Sequence, residues 1–231
     1  MDQAYLSTLK FPKKSHRKQI AIPSESLDLA ELMGIAFGDG GINNSWQLVI
    51  SLNSEADLKY SFYVKSLLEQ LFKIEVVIRK RPRKKVLVLV CSSTDLVDFL
   101  VSKGSVRGNK VAQQIDVPGW IGQNEDFGKM FVRGLVDTDG CLYIHDHVVS
   151  GKRYKNLGFC FVSHSEPLIR SVANILGMHG VVPHISYGKK IYLYSARQVE
   201  KYLDIFGTSN PRIWNKYQEW TNSRKVANIS T

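Results

Sequence analysis

Two aspartates, Asp39 and Asp139, stand 100 residues apart in almost the same local sequence. Leu32 to Gly41 reads LMGIAFGDGG, and Val132 to Cys141 reads VRGLVDTDGC. In each, an apolar run carries a glycine, and four residues later a small residue stands just before Asp-Gly. If both runs are helical, Gly34 and Gly38 share a face, as do Gly134 and Thr138, because residues four apart are neighbours on a helix. Small residues there allow two helices to approach more closely than the usual separation of about 8–10 Å. The carboxylates then emerge together at the C-terminal ends, where the negative end of each macrodipole and the like charge of the other both oppose ionisation. A divalent cation removes both penalties, and hard oxygen ligands of this kind suit Mg²⁺ bridging to a phosphate. A single Asp-Gly would be no more than a helix stop and tight turn. Two copies, each behind a helix with small residues at matching positions, point to an active site.

The charge of the chain names the class of partner. Thirty-one basic against twenty-one acidic residues leave +10 over 231 residues, and a polyanion is the natural counterpart. The segment RKRPRKK holds Arg79, Lys80, Arg81, Arg83, Lys84 and Lys85, and a second cluster comprises Lys10, Lys13, Lys14, Arg17 and Lys18. Nucleic acid is the expected ligand. A hydrophobic content of 44% and a charged content of 23% are ordinary for a globular protein. No apolar run reaches the roughly 18 residues of a membrane span, and the first residues lack a secretory core, so no membrane partner is expected. Three sparse cysteines speak against a disulfide framework and suit an intracellular, reducing setting. Cys141, His145, His147, Cys160 and His164 match no common zinc spacing. No phosphate-loop or dinucleotide fingerprint is present.

The elements that carry the aspartates also repeat. A basic extension over residues 1–22 precedes a first repeat over 23–112. A linker over 113–124 and a second repeat over 125–231 follow. Each repeat reads as helix, two strands, helix, two strands, helix. Ser24 or Ser26 opens the first motif helix, and Asn124 or Asp126 the second. Trp46 to Asn53 alternates as a strand, with Leu48, Ile50 and Leu52 inward and Gln47, Ser51 and Asn53 outward. Ser54 and Asp57 suggest a capping box for the next helix, which runs to about Phe72. Ile74 to Arg81 and Val86 to Cys91 are strands joined by the basic turn at Pro82. In the second repeat Cys141 to Asp146 and Gly158 to Ser163 are strands, with Tyr143 and His145 on the face opposite Leu142 and Ile144. Pro167 opens a helix closed by Gly177. Gly188, Lys189 and Lys190 form a hairpin turn after Tyr187. LNSEADL aligns with SHSEPLI, and RGNK ending at Lys110 aligns with IWNK ending at Lys216.

At these residues the chain resembles the LAGLIDADG homing endonucleases in their single-chain, two-motif form. Leu32 to Gly40 and Val132 to Gly140 both match the nine-residue family motif, and the likeness covers roughly residues 23–220. The resemblance implies an α+β saddle of two αββαββα units whose antiparallel four-stranded sheets straddle double-stranded DNA. It makes the motif helices the interface, through Gly34 and Gly134, and gives Asp39 and Asp139 the metal. The backbone carbonyls of Gly38 and Thr138 would be auxiliary ligands. Lys110 and Lys216 resemble the supporting catalytic lysine after the third helix of each unit. The sheets would present Gln47, Ser51, Asn53, Tyr143, His145, His164, Tyr187, Lys189, Lys190 and the basic turn to DNA.

The implied activity is Mg²⁺-dependent hydrolysis of both strands, with Mn²⁺ able to substitute and Ca²⁺ supporting binding. It would leave a staggered break with 3′ overhangs at a long asymmetric target. The implied form is an intron-encoded monomer in the cytoplasm or nucleoid of a prokaryote, or within an organelle. The sequence departs from the family pattern in two places. The sixth motif position is Phe37 in one copy and Asp137 in the other. Leu52-Asn53 and Ser163-His164 stand where a Gln-Lys pair is frequent. An RNA maturase or a DNA-binding regulator of the same fold is the alternative, against which both retained acids speak.

Overall fold

The computed structural model describes residues 18–229. Of the first basic cluster, Lys10, Lys13, Lys14 and Arg17 lie outside the described residues. The fold is α+β, with two four-stranded antiparallel sheets in the orders β1-β2-β4-β3 and β5-β6-β8-β7.

Ser26 opens α1 (Leu27–Phe37), its hydroxyl accepting from the Leu29 N–H at 3.3 Å. Every residue of α1 from Leu29 onward is buried, as expected of a helix covered on more than one side. β1 (Gly40–Asn44) follows immediately and pairs with β2 (Gln47–Asn53). The sequence offers no strand signal over β1, because GGINN holds a single apolar residue and no period can be read from it. In β2, Leu48, Ile50 and Leu52 are buried at 1%, 0% and 2% exposure, so the expected alternation is present.

The capping box at Ser54 does not form. The Asn53 side-chain oxygen instead accepts from the N–H groups of Glu55 and Ala56, at 2.9 and 3.0 Å, and winds the chain into a turn. Asp57 accepts from the Asn53 N–H at 3.3 Å, and α2 (Leu58–Phe72) starts one residue later. β3 (Val77–Lys80), β4 (Val86–Ser92) and α3 (Thr94–Ser102) complete the first set, with Ser93 capping α3.

A one-turn helix, α4 (Gly119–Gly122), lies in the connection. The order then recurs. α5 (Glu125–Asp139) is capped by Asn124, whose side-chain oxygen accepts from Asp126 and Phe127. β5 (Gly140–Val149) and β6 (Lys152–Val162) form a continuous ladder longer than the sequence suggests. The excess lies in residues 147–149 and 152–157, which pair backbone to backbone across the hairpin. α6 (Glu166–Met178) contains Gly177 rather than ending at it, and Gly180, at φ 67°, turns the chain instead. β7 (His184–Ser186), β8 (Lys190–Leu193), α7 (Ala196–Ile205) and a last helix, α8 (Pro211–Ile229), follow. Leu32, Ile35, Phe131, Val132 and Leu135 join one core that runs through α1 and α5 into both sheets.

Candidate active site

The two motif helices pack backbone to backbone. A Cβ on Gly34 would stand 2.1 Å from the Phe131 carbonyl oxygen, and one on Gly134 would stand 2.2 Å from that of Glu31. One turn on, a Cβ on Gly38 would meet the Thr138 hydroxyl at 2.0 Å and the Asp139 carboxyl carbon at 3.4 Å. The four-residue spacing of small residues thus forms a crossing that no larger side chain fits. It brings Asp39 and Asp139 close to each other, directly before β1 and β5.

Both carboxyls ionise reluctantly there. Burial, then the neighbouring charges of Asp139 and Asp57, push Asp39 up to about 7, while Lys110 and Arg212 oppose the shift. Asp139 is exposed at its edge, yet the protein crowding it raises it to about 6 against the pull of Lys110. Buried carboxylates that resist ionisation are a fitting donor set for a hard divalent cation. Among the described residues no group of three or more His, Cys, Asp or Glu side chains gathers to hold a metal. The remaining positions on such an ion would fall to carbonyls, water or a substrate phosphate. Of the two expected auxiliary carbonyls, that of Gly38 is already held by Lys110.

Lys110 closes the end of α1. Its ammonium donates to the carbonyls of Phe37, Gly38 and Gly40 at 2.7, 2.6 and 2.6 Å, and at 3.1 Å to that of Ala36. A cation belongs at this negative helix end. Burial lowers the Lys110 pKa, and Asp139 and Asp39 resist that shift.

Lys216 does not take the equivalent place. Its ammonium pairs with Glu219 at 2.8 Å along α8. The end of α5 is held instead by Arg212, which donates to the carbonyls of Asp137 and Gly140 at 3.2 and 3.3 Å. These two carbonyls correspond to those of Phe37 and Gly40 in the first motif. Arg212 also donates to Asp57 at 3.0 Å. Asn210 bridges the Asp57 carboxylate and the Asp137 carbonyl, at 2.8 and 2.9 Å. The similarity of IWNK to RGNK concealed this. The usable signal was Ser-Asn-Pro-Arg at 209–212, a polar cap followed by a helix-opening proline.

The same segment seals a buried polar network beneath the aspartates. Glu31 and Asp137 are both 0% exposed. Glu31, on α1, accepts from the Arg133 guanidinium on α5, from the Tyr63 hydroxyl at 2.8 Å and from the Ser209 hydroxyl at 2.8 Å. Asp137 accepts from the Thr208 hydroxyl and from the Ser209 N–H at 2.7 Å. Burial raises Asp137 to about 7 even against those hydrogen bonds. The departure at the sixth motif position therefore has a structural use: Asp137 ties residues 208–210 to the helix pair, a task Phe37 cannot perform. Glu31 gave no sequence signal, because a lone acid in an apolar helix reads as a surface residue.

Strand register places the expected contact residues. Gln47, Ser51 and Asn53 lie on the face of the first sheet turned from the core, with Arg79 opposite Val88 in the same row as Ser51. Gln47 donates to the Ser92 hydroxyl at 3.2 Å. Lys80 is out of step: it pairs with Leu87 on the opposite face, because adjacent strand residues point to opposite sides. Arg81, Arg83, Lys84 and Lys85 are exposed in the turn, Lys85 pairing with Glu55 at 2.9 Å. Tyr143, His145 and Lys190 lie on the outward face of the second sheet. Tyr187, at 94% exposure, and Lys189 flank Gly188 in the hairpin turn. His164 is exposed beyond β6.

No protein-family model and no curated protein matches the chain. Solved structures do. The homing endonuclease I-DmoI in complex with DNA and Mn matches with a TM-score of 0.53 at 18% identity, over 79% of this chain and 97% of that one. A variant of I-SmaMI matches at 0.59 and 10% identity, over 90% and 92%. Full-length DUF199/WhiA from Thermatoga maritima matches at 0.53 and 15% identity, over 88% of this chain and 63% of that one. The structural neighbours include LAGLIDADG homing endonucleases, and what this chain shares with them is the fold.

Proposed function

We propose that this chain is a site-specific endonuclease of double-stranded DNA that works with a divalent cation. One observation carries the reading: the motif helices crowd Asp39 and Asp139 together at their ends, where β1 and β5 begin, in surroundings whose burial raises both carboxyls. I-DmoI, of the same fold, has been seen with DNA and Mn. Asp39 and Asp139 would hold Mg²⁺, or Mn²⁺ in its place, with the Thr138 carbonyl beside them and Ca²⁺ supporting binding alone. When bound, the cation supplies Lewis-acid stabilisation of charge at the scissile phosphate and lowers the pKa of water. Lys110 acts by fixing the end of α1, and Arg212 does the same for α5. The repeats over 23–112 and 125–231 would each serve one half of a long asymmetric target, in a monomer working wherever its DNA lies inside the cell. The product would be a staggered break with 3′ overhangs.

The test is cleavage of a randomised plasmid library in Mg²⁺ by wild type, Asp39→Asn and Asp139→Asn, with strand-resolved gels and binding titrations in Ca²⁺. A cation shared between the two carboxylates predicts that each variant loses cleavage of both strands while keeping site-specific binding. Equal cutting by wild type and Asp39→Asn would sink the catalytic assignment. Strand-specific nicking by both variants would replace the shared cation with two separate sites.

A further inference from the structure

The outward faces of the two sheets differ in chemistry. On the first, Val49, Val90 and Val77 stand opposite one another in a single row across three strands. Val86 lies opposite Asn53 on the same face, and the core takes Leu48, Ile50, Leu52, Leu87 and Leu89 on the other. Val77 is 38% exposed, and Val49, Val86 and Val90 are half-buried. An outward face of an antiparallel sheet is normally polar, so a valine row there calls for an apolar partner.

On the second sheet, rings fill the corresponding face. His145 stacks on His147 with centroids 5.0 Å apart, and Tyr192 on Tyr194 at 5.2 Å and 10°. His145 and His147 lie two residues apart on β5, and Tyr194 follows Tyr192 by two residues, just past the end of β8. These four side chains carry hydroxyl and imidazole groups. With one face of each ring stacked on its neighbour, their hydroxyl and imidazole groups offer hydrogen bonds to base edges.

The major groove of duplex DNA holds hydrogen-bonding base edges and one apolar group, the 5-methyl of thymine, and it admits a β-ribbon. Arg79 beside the valine row and the basic turn beyond it supply charge for the flanking phosphates. We propose that Val49, Val77 and Val90 read thymine 5-methyl groups. The half-site under the first sheet is then thymine-rich and recognised through those methyls, while the half-site under the second sheet is read by tyrosine and histidine edges. This rests on the DNA reading given above and specifies how each half of the target is told apart.

The experiment selects the preferred duplex from a randomised library in Ca²⁺, then replaces thymine by uracil in one half at a time. Uracil keeps every hydrogen-bonding group and removes only the methyl. The half under the first sheet is the one whose hydroxyl-radical footprint retreats when Arg83 and Lys84 are changed to serine. Uracil in that half should weaken binding about fourfold for each contacted methyl, from the ~0.8 kcal/mol of one buried methylene-sized group. Uracil in the other half should change binding less than twofold. Val90→Thr, nearly the same shape, should lose part of the uracil sensitivity. Val77→Thr, at a more exposed position, gives the same readout if Val90→Thr does not fold. Equal affinity for thymine and uracil duplexes, or sensitivity confined to the second half-site, would overturn the thymine reading while leaving the endonuclease standing. Selection of no duplex at all would overturn both.

Discussion

Replacing Gly34 by alanine adds one methyl group to a helix, a change that ordinarily stabilises it. Here the methyl would lie 2.1 Å from the Phe131 carbonyl oxygen and 2.9 Å from the Leu135 nitrogen. Non-bonded heavy atoms sit comfortably at about 3.5 Å or more, so α1 and α5 would have to part by roughly 1.4 Å. Neither obstacle is a side chain that can rotate away. A gap of about 0.5–1 Å forfeits a quarter to a half of each contact's attraction, and this seam includes the Phe37–Phe131 ring pair at 5.3 Å. Overpacking of this kind costs about 3 kcal/mol. For a chain of this size that lowers Tm by roughly 6–12 °C. Gly177→Ala provides the control. Gly177 is also helical, and a Cβ there meets nothing within 4 Å. It should gain about 0.5 kcal/mol and raise Tm by roughly 1–2 °C. Thermal unfolding followed by circular dichroism measures both. A Gly34→Ala protein that melts with or above wild type would show that the helices do not cross at this residue.

The helix-end cations should separate cleanly. Lys110→Met strands four carbonyls at the end of α1 and should cost about 2–3 kcal/mol and most cleavage. Lys216→Met should leave the melting temperature and cleavage near wild type, and Arg212→Met should reproduce the Lys110 phenotype; the reverse pattern would return the supporting role to Lys216. Asp39 is raised to about 7 in the folded protein from 3.8. The folded state therefore holds a proton that the unfolded chain releases, and stability is lost as pH rises from about 4 towards about 7. Without divalent cation, Asp39→Asn should gain on wild type between pH 5 and pH 8, and Mg²⁺ should remove the gain; a pH-independent difference in Tm would count against this. Changing Arg79, Arg81, Arg83, Lys84 and Lys85 to serine should flatten the salt dependence of DNA binding with little change in sequence preference. An unaltered slope would place the basic turn away from phosphate.

Much of this protein is legible from local chemistry. The helix starts at Ser26 and Asn124 follow from side chains that accept from N–H groups two or three residues away. The burial of Leu48, Ile50 and Leu52 follows from a period of two. The small residues at 34, 38, 134 and 138 announced a close crossing because identical spacing recurred after 100 residues. Both aspartates were marked by the same repetition.

What the sequence could not reveal are the arrangements made by residues distant along the chain. β1 is a strand because β2 pairs with it, not because of its own composition. Arg212 rather than Lys216 guards the end of α5 because the turn at Ser209-Asn210-Pro211 aims it there, and an alignment of four-residue motifs carries no direction in space. Glu31 and Asp137 become buried acids only when Arg133, Tyr63 and residues 208–210 converge on them from other elements. The shift of Asp39 likewise comes from burial and then from the charges of Asp139 and Asp57, and that of Asp139 from burial against the pull of Lys110. Sequence patterns record which face of an element is apolar. The partner that face meets, and the charge gathered around a carboxylate, are set by packing between helices and sheets that only the folded chain brings together.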